Sequence, residues 1–163
     1  DFQQVGVNRV ISTDVNVDAL INTTEIKQII TNMCKNAEQS FNGKSGKIEI
    51  SLSIQKPSKE QKTKLDVIAN EFAMISIVDD GSGIAKENLE KIFEPLFTTK
   101  EVGEGTGLGL SVVIGIVRSW GGGVDVKSVL GKGTTFDLYI PVYKPEDDFS
   151  DLIDLVEEVE KGE

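Results

Sequence analysis

The sequence predicts a two-layer α/β sandwich, with a mixed, mostly antiparallel sheet packed on one face by helices. Three observations carry that expectation. Residues 22–41 place Ile26, Ile29, Ile30, Met33, Cys34, Ala37 and Phe41 at the spacing of one buried helical face. Residues 48–55, IEISLSIQ, alternate apolar and polar without a break, as a half-buried strand does. Further strands and helices are mixed along the chain instead of alternating strictly, and two late strands read as a hairpin, which excludes an all-parallel sheet.

The elements follow in order. The first 21 residues hold one or two weak strands. Asn22, with Glu25 three residues on, reads as a capping box that starts the first helix. Residues 56–71, rich in lysine and other polar residues, read as a loop. FAMISIV (72–78) is a second strand with Ala73, Ile75 and Ile77 on one face, DDGSGI is a turn, and KENLEKIF (86–93) is a short helix. Residues 110–119 form another helix, with Leu110, Val113, Ile114 and Val117 inward, stopped by Gly121-Gly122-Gly123. VDVKSVL (124–130) and TTFDLYI (134–140) pair as a hairpin across GKG. The organisation is one body, residues 1–144, and an acidic tail, residues 145–163, in which Phe149, Leu152, Ile153, Val156 and Val159 keep helical spacing. That tail reads as an exposed linker helix or as a connector to a following domain.

Composition narrows the chemistry. A chain of 163 residues fits one domain, and the opening Asp1 in place of Met predicts a piece of something longer. The longest apolar run, Val112–Val117, is interrupted by Gly115, so no direct membrane insertion is expected. The single Cys34 excludes an internal disulfide and fits a reducing, cytoplasmic setting. The absence of histidine removes Ser-His and Cys-His catalysis and imidazole-ligated metals. The net charge of -10 is concentrated in the tail, whose nine acidic residues and one lysine leave the body nearly neutral. With no basic stripe, nucleic acid is not an expected partner.

Gly103, Gly105, Gly107 and Gly109 stand at every second position and lead straight into an apolar helix. So many glycines make ordering the backbone costly. A dinucleotide fingerprint fails here, because the preceding FEPLFTTK contains Pro95 and does not read as a strand; Asp125, at a suitable distance downstream, is weak support alone. A P-loop also fails: GKS at 43–45 has Glu38 in place of the first glycine, and GKG at 131–133 lacks the hydroxyl residue. What remains is a loop entering a helix whose free N–H groups and positive dipole end suit an anion.

Two other stretches supply candidate ligands. Asn32 and Asn36 lie one turn apart, with Asn36 on the margin of the apolar face and Asn32 farther toward solvent; either amide oxygen could meet a hard cation such as Mg²⁺. Asp79 and Asp80 end an apolar strand before GSGI. A carboxylate held there can accept from an exocyclic amino group, which adenine has in N6 and guanine replaces with an acceptor, O6.

Taken together, NMCKNA (32–37), DDGSGI (79–84), FEPLFTTK (93–100), GTGLGLSVV (105–113) and GKGTTF (131–136) resemble, in order, the N, G1, F, G2 and G3 boxes of sensor histidine kinases. The resemblance runs from about residue 7 to Pro141 and is to the catalytic, ATP-binding domain, in the ATPase superfamily that also holds gyrase, Hsp90 and MutL proteins. It implies a Bergerat-type ATP-binding fold with ATP and Mg²⁺ as ligands. By this likeness Asp79 is the adenine-reading aspartate, Asn36 the Mg²⁺ ligand and Asn32 a second contact. Gly81, Gly83 and Ile84 shape the adenine end, and Thr134 touches it through water. Phe93, Phe97, Thr99 and Lys100 carry the F box, with Asn36 and Lys100 implied in phosphoryl transfer. Gly105, Thr106, Gly107, Leu108, Gly109 and Leu110 belong to the lid over the phosphates.

One departure is Gln39, where many members carry Lys or Arg; Lys35 and Lys100 are the replacement candidates. Hydrolases of the superfamily carry a water-activating glutamate at the position of Asn32, and an amide cannot take a proton from water. The likeness therefore implies a protein-histidine kinase domain, with a hydrolytic ATPase module or a degenerate nucleotide-binding domain as alternatives. Its implied partners are the protein's own upstream dimerisation and histidine phosphoacceptor domain and, indirectly, a response-regulator receiver domain. The setting is cytoplasmic, in a parent chain that could be membrane-anchored.

Overall fold

Among the described residues five strands form one sheet: β1 (Val7–Thr13), β2 (Gly46–Gln55), β3 (Phe72–Asp79), β4 (Gly123–Val129) and β5 (Gly133–Pro141), in the order β1-β2-β3-β5-β4. The computed structural model describes residues 7–13, 19, 21–94, 109–143, 156–159 and 161–162. β1 runs parallel to β2 and every other pair is antiparallel, the mixed sheet expected from sequence. A parallel pair needs a crossover, and α1 (Thr23–Ser40) supplies it. α1 begins where Asn22 Oδ1 accepts from the Thr24 and Glu25 N–H groups, at 2.8 and 3.3 Å. The Glu25 carboxylate accepts from the Trp120 indole N–H at 3.1 Å, which ties the start of α1 to the end of α3 (Gly109–Ser119).

α1 and α3 cover one face of the sheet. Ile29, Met33 and Ala37 of α1 and Val113 and Val117 of α3 close on Ile48, Ile77, Phe136 and Leu138. These side chains follow from the alternation of the strands and the helical period of α1 and α3. Truncating Ile29 or Phe136 to alanine there would cost on the order of 2–5 kcal/mol.

Two expected elements differ. Residues 56–71 contain a helix, α2 (Lys59–Leu65), where a loop was expected. A full capping box starts it: Gln61 N–H donates to Ser58 Oγ at 3.2 Å, and Ser58 N–H donates to Gln61 Oε1 at 3.0 Å. With Leu65 its one buried residue, α2 has no apolar stripe to read. Leu65 and Val67 pack with Phe72 and Tyr139 as a small second cluster. Phe72 and Tyr139 have the opposite strand parity to Ile77 and Phe136, so this cluster lies on the other face of the sheet. The helix expected at 86–93 is a 3₁₀ turn, Lys86–Asn88, followed by further turns. Its N–H groups reach back three residues, Asn88 to Ala85 and Lys91 to Asn88, and Ala85 offers no side-chain cap to start an α-helix.

Candidate functional site

Strand parity separates the two adjacent aspartates. Asp79 shares the parity of Ala73, Ile75 and Ile77 and points into the helix-side layer, where it is 5% exposed. Asp80 turns outward and caps β2, accepting the Lys47 N–H at 2.8 Å. Asp79 Oδ1 accepts from the Gly81 N–H at 3.0 Å, and the Ser40 hydroxyl lies 3.3 Å away. Burial pushes the Asp79 carboxyl above its ordinary value; the Gly81 N–H, the Ser40 hydroxyl and the Thr134 backbone oppose the rise, and nearby Asp80 adds to it.

The loop after Asp79 is built to lie close. A Cβ at Gly81 would collide with Ser40 Oγ, so only glycine lets the chain pass the end of α1. Gly83 has φ +71°, and a Cβ there would run into the Val129 carbonyl of β4. Beyond it, the Ile84 N–H donates to Ser128 Oγ at 2.7 Å, while that hydroxyl donates to the Gly133 carbonyl at 2.9 Å and lies 2.8 Å from Thr134 Oγ1. Thr134 stands opposite Asp79 in the β3–β5 register. Asp79, Gly81, Gly83, Ile84 and Thr134 are thus one cluster, joined by Ser40 and Ser128, which sequence reasoning missed. Ser40 had a signal: Asn32, Asn36 and Ser40 are spaced by four, so they form one ridge along α1.

That ridge joins two ends of a site. Ser40 meets Asp79 at one end. At the other, a Cβ placed on Gly109 would meet, among the described residues, only Asn32 Cβ, at 4.0 Å, so the start of α3 lies over Asn32. Asn32 and Asn36 are both half-buried. Eight residues of helix span about 12 Å, comparable with the reach of a nucleotide from base to phosphates. The donor set fits such a ligand: a carboxylate acceptor at one end, two amide side chains between, and a helix start, whose dipole end favours an anion, at the other. Among the described residues no three His, Cys, Asp or Glu side chains converge, so a cation at Asn36 would take its other oxygens from phosphates and water.

Leu110 packs on the main core, and Phe93 sets its ring edge-on to Phe136, with centroids 6.4 Å apart. Phe97, Thr99, Lys100, Gly105, Thr106, Gly107 and Leu108 lie outside the described residues. Lys35 is exposed and lines a shallow hollow of about 370 Å³ with Glu38, Gln39, Gly43 and Lys44, a lining that includes neither Asn36 nor Asp79.

Residues 21–144 match the family model described as histidine kinase-, DNA gyrase B-, and HSP90-like ATPase. The chain belongs to this family. As a histidine kinase-type ATPase domain it is 37% identical over 123 residues to the sensor histidine kinase ZraS of Salmonella typhimurium, covering 76% of this chain and 23% of that protein. It is 51% identical over 76 residues to the sensor kinase CckA of Brucella abortus, covering 47% of this chain and 8% of the relative. The ATPase domain therefore spans less than a quarter of the length of these two relatives. Its fold superimposes on the catalytic domain of the histidine kinase ThkA with a TM-score of 0.66 at 29% identity, over 86% of this chain and 82% of that one. No helix among the described residues is long and apolar enough to cross a membrane.

Proposed function

We propose that this domain binds Mg-ATP along the α1 ridge and donates the γ-phosphoryl group to a histidine on a separate helical domain, within a two-component signalling protein. The observation that carries this reading is the ridge itself, which runs from a buried adenine-type acceptor, Asp79, past Asn36 to the start of α3. Asp79 accepts the exocyclic amino group and selects adenine over guanine. Asn36 offers its amide oxygen to Mg²⁺, and Asn32 supports the same polyphosphate. Magnesium, when bound, neutralises phosphate charge and holds the transferring group in line.

The α3 N–H groups and the glycine lid receive phosphate oxygens, with Lys100 of the F box as the proposed cation beside them. An asparagine at position 32 offers no base to water, which favours transfer over hydrolysis. The acceptor must lie elsewhere, since the chain has no histidine. The proposed partners are an upstream dimerisation and phosphoacceptor domain and, through it, a receiver domain, on the cytoplasmic side of any membrane the parent spans.

The test is incubation with γ-labelled ATP and a supplied phosphoacceptor domain from a sensor kinase relative. Label should appear on the acceptor histidine and fall with Asn36→Ala. ATP turnover that is fast without acceptor, and leaves the acceptor unlabelled, would replace this reading with a hydrolytic one.

A further inference from the structure

On the side of the sheet facing away from α1 and α3, Asp125 of β4 stands directly opposite Asp137 of β5. Ser76 of β3 stands opposite Asp137 on its other side. The neighbours Val124, Val126, Phe136 and Leu138 pack into the helix-side core, so strand alternation turns both aspartates to the outer face. Directly opposed side chains have Cβ atoms about 4.5–5.5 Å apart, and like charges there repel. Asp137 is only 7% exposed, and its Oδ1 is closed to solvent with no hydrogen-bond partner. A buried carboxylate left in that state is costly unless positive charge sits beside it.

Among the described residues, the cations serve this pair poorly. Lys64 of α2 reaches Asp125 Oδ1 at 3.6 Å through a side chain that is 73% exposed. Among the described residues no lysine or arginine is paired with Asp137. Tyr139, two residues along β5 on the same face, feels both carboxylates: burial first, then Asp137 and Asp125, push its phenol up.

We propose that Asp125 and Asp137 hold a hard divalent cation, calcium or magnesium, between β4 and β5 on the outer face of the sheet. Two carboxylates with water completing the shell are an oxygen-only set suited to such ions. Thr134, at the nucleotide end of β5, is three residues from Asp137 and on the opposite face, so this ion is distinct from the one proposed at Asn36. Its effect would be to clamp the β4–β5 hairpin that carries Ser128 and Thr134.

The test uses the full nucleotide-free chain with terbium as the calcium probe, its luminescence excited through tyrosine. Saturable emission that calcium displaces is expected, together with a rise in melting temperature on adding calcium. Asp125→Asn and Asp137→Asn should each weaken terbium binding by about tenfold or more, since ligand charge sets affinity at such sites. Lys64→Gln should strengthen it by removing the competing ammonium, an effect that loss of packing would not produce. Tyr139→Phe should dim the emission yet keep the calcium-induced stabilisation. Asp125 is the less buried partner, so Asp125→Asn keeps the test decisive should Asp137→Asn fail to fold. Terbium binding unchanged in Asp125→Asn would place the ion elsewhere, for instance on the acidic tail, and overturn the proposal. Loss of binding in Asn36→Ala would assign it to the nucleotide cleft and do the same, as would the absence of any saturable signal.

Discussion

Replacing Asp79 by asparagine preserves shape while removing a buried charge from the cleft. The asparagine oxygen can still take the Gly81 N–H that Asp79 Oδ1 accepts at 3.0 Å, so the loop has no steric reason to move. Its amide nitrogen, however, would meet the adenine amino group donor to donor. Losing a charge-assisted hydrogen bond in a closed site costs about 1.5–3 kcal/mol, roughly a 10- to 150-fold loss of ATP affinity.

Asp79 also fixes the pH dependence. Because burial raises its pKa in the folded state, the native protein holds this proton to higher pH than the unfolded chain does. The stability so contributed is full below the ordinary carboxylate range and is lost as pH rises through the raised value. Nucleotide binding runs the other way, since only the ionised carboxylate accepts well from N6, and it should weaken as pH falls through that same value. Asp79→Asn should flatten both dependences. Calorimetric titration with ATP and GTP, paired with thermal melts across the acid range, measures all of this. Equal wild-type affinity for the two nucleotides, or an Asp79→Asn variant that binds ATP as tightly as wild type, would refute the reasoning.

Asn36→Ala should weaken the Mg²⁺ dependence of ATP binding more than Asn32→Ala does, which a magnesium titration at fixed nucleotide would show. Ser40→Ala should reduce ATP affinity by roughly 2- to 10-fold, the worth of one ordinary hydrogen bond to Asp79. Gly81→Ala should be far more damaging, because of the collision with Ser40, and partly rescued by Ser40→Gly; calorimetry of the double variant decides. Among the described residues Gly109→Ala meets only Asn32 Cβ, at 4.0 Å, so stability should hold or rise by up to roughly 1 kcal/mol. ATP affinity should fall in that variant, separating a ligand role for the helix start from a packing role.

Much of the architecture was legible because strand alternation and helical period are local. The Asp79 parity was legible in the same way, since it continues Ala73, Ile75 and Ile77. α2 was not, because a seven-residue helix that buries only Leu65 leaves no periodic trace, although Ser58 and Gln61 spelled its cap. Ser40 and Ser128 act across sequence separations of 39 and 44 residues, and a lone serine carries no sign of what folds against it. The approach of the α3 start to Asn32 is likewise a tertiary event that helical phase alone does not contain.

The strand order β1-β2-β3-β5-β4 puts the last of the described strands inside the sheet. A polypeptide emerging in sequence order reaches β4 with one flank of β3 still open, and β4 itself waits for β5 to become part of the sheet. An open edge of that kind can pair with another chain, and such long-range pairing forms slowly. The same late strand brings Thr134 opposite Asp79 and Gly133 onto the Ser128 hydroxyl. Completing the fold and assembling the proposed base-recognition end are therefore one event. On a translating ribosome, nucleotide recognition should switch on in a single step, once Pro141 has cleared the exit tunnel.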